Sequence, residues 1–115
     1  MKEKMTYLTM DDGTKYPLIF TLNVMEDIQD KYGSLEEWMA LIKAKEPSIK
    51  ALKFGLGSML NEGLEIENET AEEKREMLNP KQIGRIITQL GITAVAGKIG
   101  ENVVASTKTD APKNV

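Results

Sequence analysis

Adjacent carboxylates stand at Asp11-Asp12, Glu36-Glu37 and Glu72-Glu73, and a carboxylate pair is the simplest equipment for general acid–base chemistry. That chemistry requires two unlike environments inside one cleft, so that one group stays protonated while the other is ionised. Consecutive positions on a helix do not face each other. These pairs therefore read as turn, cap and solvated-surface residues. Glu65, Glu67 and Glu69 could offer oxygens to calcium, but the oxygen-rich loop built on a sharp glycine turn is missing, and a solvated loop is the simpler reading. Ser34 and Ser58 would need an activating base. The chain contains no histidine and no cysteine, which removes the commonest base, thiolate nucleophiles, disulfides and the usual nitrogen and sulfur ligands of zinc. Gly55-Leu56-Gly57 echoes a phosphate loop, yet it sits inside a helical pattern with no Gly-Lys-Ser/Thr after it, so close packing explains it better. We expect no enzyme, no cofactor and no metal.

Binding is what remains. With 15 basic against 18 acidic residues the net charge is −3, which gives no electrostatic footprint for nucleic acid. Asn79 to Ile92, with its flanking helices, has the outline of a helix-turn-helix, but Lys81 and Arg85 are the middle helix's only cations, too few for phosphate and base contacts. No window approaches the ~18 to 20 apolar residues that span a bilayer, and Met1-Lys2-Glu3-Lys4 leads into a strand pattern without an apolar signal region. A cytosolic protein is expected, with neither nucleic acid nor membrane as partner. The seven methionines suit a surface that adapts to several apolar partners. Trp38, Met39 and Phe54 are the candidate partner-binding residues. Phe54 lies about 140° around the helical wheel from Ile49 at ~100° per residue, so it faces a second buried surface or a partner.

The elements that must position these residues follow from spacing. Met5–Met10 and Lys15–Phe20 read as strands joined by a two-residue turn at Asp12-Gly13. Pairing Asp11 with Thr14 sends Met5, Tyr7, Thr9, Tyr16, Leu18 and Phe20 toward the helices and leaves Thr6, Leu8, Met10, Lys15, Pro17 and Ile19 outside. Pro17 cannot donate to a ladder, so its strand should keep a free edge. Helical segments are expected over about 22–32, 35–45, 48–62, 71–78, 80–90 and 93–105. Leu22, Val24, Met25, Ile28 and Tyr32 form the first apolar arc, and Gly33 stops it. Ser34 with Glu37 forms a capping box ahead of Leu35, Trp38, Met39 and Ile42. Ile49, Leu52, Leu56, Met59 and Leu60 make a core-facing stripe, and 61–68 reads as a loop containing Gly63 as the helix's C-terminal residue. Thr70 with Glu73 caps the short charged segment 71–78, and Asn79-Pro80 starts the next helix, with Ile83, Ile86, Ile87 and Leu90 inward. In the last helix Ala94, Ala96 and Gly97 permit close approach beside Ile92, Val95, Ile99 and Val103. Residues 106–115 are polar and expected to be disordered. The fold class is α+β, predominantly helical: an N-terminal β-hairpin packed on a bundle of about five short α-helices, a single domain over residues 1–105.

The hairpin leading into FTLNVMEDIQDKYGSLEEW, then small amphipathic helices and a polar tail, resembles the tail assembly chaperones of long-tailed phages and prophages of Gram-positive bacteria, over roughly residues 5 to 105. That resemblance implies a non-enzymatic protein in the host bacterial cytoplasm that binds the tape-measure protein and helps recruit tail-tube subunits. Homo-oligomerisation is compatible with it. The alternative is a small phage-encoded regulator binding DNA or a host protein.

Overall fold

The computed structural model describes residues 5–108. Strands β1 (Thr6–Thr9) and β2 (Lys15–Leu18) form an antiparallel hairpin, followed by α1 (Leu22–Tyr32), α2 (Leu35–Lys43), α3 (Ile49–Asn68), α4 (Pro80–Leu90) and α5 (Ile92–Lys108). The architecture is α+β and mostly helical, with the hairpin packed on five helices. The 20-residue α3 is the hub, touching β2 and every other helix.

The hairpin differs from expectation by one residue of register. Thr6 pairs with Leu18, Tyr7 with Pro17, Leu8 with Tyr16 and Thr9 with Lys15. The loop is therefore Asp11-Asp12-Gly13, closed by Met10 N–H to Thr14 O at 2.8 Å and Gly13 N–H to Met10 O at 2.9 Å. Gly13, at φ 90°, supplies the left-handed residue that ends a three-residue hairpin loop, and the Asp12 carboxylate accepts from Thr14 N–H at 2.9 Å. Because side chains alternate with period two, the slip turns β1 over. Leu8 is buried and Tyr7 is 43% exposed, the reverse of the expected faces, while Leu18 and Phe20 point inward as expected. Nor is the outer edge of β2 free: Arg75 donates to Lys15 O at 2.9 Å, and Pro17 lies against Gly63 of α3.

Local signals set most helix starts. The side chains of Thr21, Ser34, Ser48 and Asn79 accept from the first turns of α1 to α4, and Asn79 with Gln82 forms a reciprocal capping box. Ser34 accepts from Glu37 N–H at 3.0 Å, whereas the Glu37 carboxylate lies over Gly33. Gly33 and Gly91, at φ 94° and 97°, end α1 and α4.

Three expectations around α3 are corrected. Gly63 does not stop the helix; a β-carbon there would stand 2.9 Å from both Cβ and O of Pro17. Its glycine is a point of contact with β2, and α3 runs on through 61–68 to Asn68, burying Leu64. Segment 71–78 is not helical. The side-chain amide of Asn61 donates to Leu78 O at 3.1 Å and accepts from Leu78 N–H at 2.8 Å, and Asn68 does the same with Arg75 at 2.8 and 3.0 Å. Seven residues apart, these asparagines occupy one face of α3 and capture the backbone groups a helix would have used, laying the connection along α3 as a strap. Ile49, placed in the core stripe, is 47% exposed.

On α1, Val24 and Ile28 are buried but Leu22 is exposed. On α5, Val95, Ile99 and Val103 are buried, whereas a β-carbon at Gly97 would meet nothing within 4 Å, so no close approach occurs there. The helix continues to Lys108, past the expected start of the disordered tail, and Ser106 is buried; positions 109–115 lie outside the described residues. Among the described residues no helix is long and apolar enough to cross a membrane.

Candidate functional site

Two glycines decide which side of α3 is sealed and which is open. At Gly55 a β-carbon would fall 2.0 Å from the ring of Trp38, so α2 presses its tryptophan into the space that glycine leaves. The indole N–H donates to Ala51 O at 2.9 Å, which satisfies the one polar atom of a wholly buried side chain. Trp38, expected at a partner surface, is therefore core. Met39 is half-buried and packs against the same cluster.

Two residues on, Gly57 lies on the floor of an open groove of about 1070 Å³ bounded by α1, α3 and the start of α4. A β-carbon there would meet only Ile83, at 3.5 Å. Phe54, Gly57 and Ile83 form the central floor, with Ile49 and Leu78 also lining it. Phe54 is half-buried and held edge-on against Tyr32, with ring centroids 5.7 Å apart at 70°, while Lys31 Nζ stands 5.1 Å from the Phe54 centroid. Burial of the Tyr32 phenol, whose oxygen has no hydrogen-bond partner, pushes its pKa up. An aromatic face is thus fixed in place yet still lines open space. Of the three residues expected at a partner surface, only Phe54 borders this groove.

The wall is tied at several points. Asp27 accepts from the Ser58 hydroxyl at 2.9 Å. Glu62 accepts from Thr21 Oγ1 at 2.6 Å and from the Asn23 amide at 3.1 Å. With Tyr32 opposite Phe54, these contacts make α1 antiparallel to α3. On the far side the Asn61–Leu78 bonds hold the strap, so both walls are fixed to α3.

Two other arrangements bear on chemistry. Ser58 beside Asp27 resembles half of a nucleophile site, but a carboxylate is a weak base for a serine hydroxyl, and no histidine exists in the chain to bridge them; the pair serves as a tie between helices. The carboxylate pairs are not brought together: Asp11 N–H is held by Gln89 and Asp12 caps the turn, Glu36 and Glu37 are in the first turn of α2, and Glu72 and Glu73 are in the strap. Glu65 and Glu67 lie on α3 and Glu69 at its end. Among the described residues no three acidic side chains converge to hold a metal ion.

A second apolar groove of about 1170 Å³ runs between the end of α2 and α5, along Ile92, Ala96, Gly100 and Val104. Its lining is mostly small and carries no aromatic ring. The first groove was only partly legible in the sequence. Gly57 inside a helical pattern and Phe54 off the stripe were the available signals, whereas Leu78 and Ile83 reach it only because the strap folds back. Comparison of the chain with protein-family models, with curated proteins and with solved structures finds no significant match to any of them.

Proposed function

We propose that this protein is a non-catalytic tail assembly chaperone of a long-tailed phage or prophage, which binds the tape-measure protein in the host bacterial cytoplasm and helps recruit tail-tube subunits. The observation that carries this reading is the α1–α3–α4 groove: an aromatic and aliphatic floor, open to solvent, whose walls are hydrogen-bonded to the scaffold. A rigid apolar groove of this kind suits the face of an amphipathic helix, and a long helical client offers such faces repeatedly. Many copies along one client gain from high effective concentration, so each contact can be weak. The resemblance of FTLNVMEDIQDKYGSLEEW to this chaperone family supplies the client's identity. The second groove along α5 offers a surface for self-association on the same client.

Co-expression with the tape-measure protein, followed by co-purification, tests the reading. We expect a stable complex that Phe54→Ser weakens while the variant stays folded. Failure of the wild-type proteins to associate, with both soluble, would overturn it.

A further inference from the structure

The charges along the groove are not mixed at random. Its floor follows α3, with Lys50 and Lys53 at one end and Glu62 and Glu65 at the other. The span from Lys50 to Glu65 is about 22 Å at 1.5 Å per residue, long enough for roughly four turns of a docked helix. Phe54, Gly57 and Ile83 lie between the charged ends. The α1 wall adds Asp27, engaged by Ser58 in the middle of the groove, and Asp30 and Lys31 toward the lysine end, where Lys31 is held over Phe54. Lys50, Lys53 and Glu65 make no hydrogen bond or ion pair with any described residue, so their charges are available to an occupant.

We infer that the groove binds one polarised amphipathic helix of another polypeptide: an apolar stripe over Phe54, Gly57 and Ile83, acidic residues against Lys50 and Lys53, and basic residues against Glu62 and Glu65. The occupant runs antiparallel to α3. That direction sets its positive N-terminal dipole end beside the glutamates and its negative C-terminal end beside the lysines. Basic residues therefore occupy its first two turns and acidic residues its last two. Surface ion pairs are individually weak, but here they choose orientation and register between apolar faces that are otherwise tolerant. The inference rests on the groove being a client site, as proposed above, and adds the kind and direction of segment it takes.

Two synthetic helices with the same composition and apolar stripe test it, one with basic residues in the first half and acidic residues in the second, the other with the charges alternating. The polarised peptide should bind about tenfold more tightly at low ionic strength, an advantage that shrinks as salt is raised. A spin label at its N-terminus should broaden amide resonances around Glu65 and spare those around Lys50. The surface variant Lys50→Glu, Lys53→Glu, Glu65→Lys should turn the peptide around, moving the broadening to the residue-50 end. Equal affinity for both peptides, or a label that reports the same end in both proteins, would overturn the inference. So would a dimer that Gly57→Leu converts to monomer, since the groove would then belong to a second copy. The two readings fail separately. Undiminished co-purification of tape-measure protein with the triple variant sinks the polarity and leaves the chaperone standing; polarised peptide binding by a protein that ignores tape-measure protein does the opposite.

Discussion

Gly55 and Gly57 are two residues apart on α3, and the spaces they leave have opposite fates. The space at Gly55 is filled by Trp38 of α2, whose polar atom is satisfied by Ala51 O. The space at Gly57 is bordered only by Ile83 and opens to the groove. One helix therefore serves as core on one side and as a platform on the other. The Gly55 side tolerates almost no change in volume, as expected where packing is close to that of a crystal. On the Gly57 side added volume should alter recognition before it alters folding.

The sharpest way to break this contrast is at Trp38. Trp38→Ala removes the largest fully buried side chain and should cost about 3–5 kcal/mol of stability, measured by urea unfolding. Full stability combined with lost client binding would instead return Trp38 to the partner surface. A paired test comes next. Gly55→Ala should destabilise by about 1–3 kcal/mol through overpacking against the indole, even though alanine is the better helix former. Gly57→Ala meets only an ordinary contact and should gain up to about 1 kcal/mol from helix propensity. Thermal melts with the same sign for both would erase the distinction. Asn61→Ala deletes both bonds to the Leu78 backbone and should cost about 1–3 kcal/mol, with hydrogen exchange rising along the strap rather than across α3. Phe54→Ser, at a half-buried position, should cost less than a full aromatic truncation, roughly 1–2 kcal/mol by that scale, while lowering client affinity.

The smallest effect lies far from both glycines. The Thr14 backbone N–H, the largest influence on Asp12, holds its carboxyl below the usual carboxylate range. Its folded pKa is therefore depressed, and the stabilisation it gives is present above the unfolded value and lost as pH falls through the folded one. A carboxyl-detected NMR titration should show the low midpoint, and Asp12→Asn should leave the groove's affinity unchanged.

Several elements were legible in the sequence because their causes are local. Ser34 and Asn79 cap helices through contacts three residues away, and Gly33 ends one. Periodicity placed Val24, Ile28, Leu52, Leu56, Met59 and Ile83 correctly in the core. The hairpin itself was also evident, but its register was not. Asp12-Gly13 fits a two-residue turn as well as Asp11-Asp12-Gly13 fits a three-residue loop, and the deciding term is which face of β1 buries its leucine against the helices.

The chain's own pattern thus determined that a hairpin precedes capped amphipathic helices, with neither histidine nor cysteine for chemistry. Tertiary structure decided what the glycines of α3 mean. Gly55 admits Trp38, Gly63 admits Pro17 and Gly57 leaves room beside Ile83 that opens to the groove, yet in sequence all three are the same missing side chain. A residue with no side chain carries no mark of what will fill its space. That is fixed only when α2, β2 and the strap, drawn from distant parts of the sequence, pack around one helix.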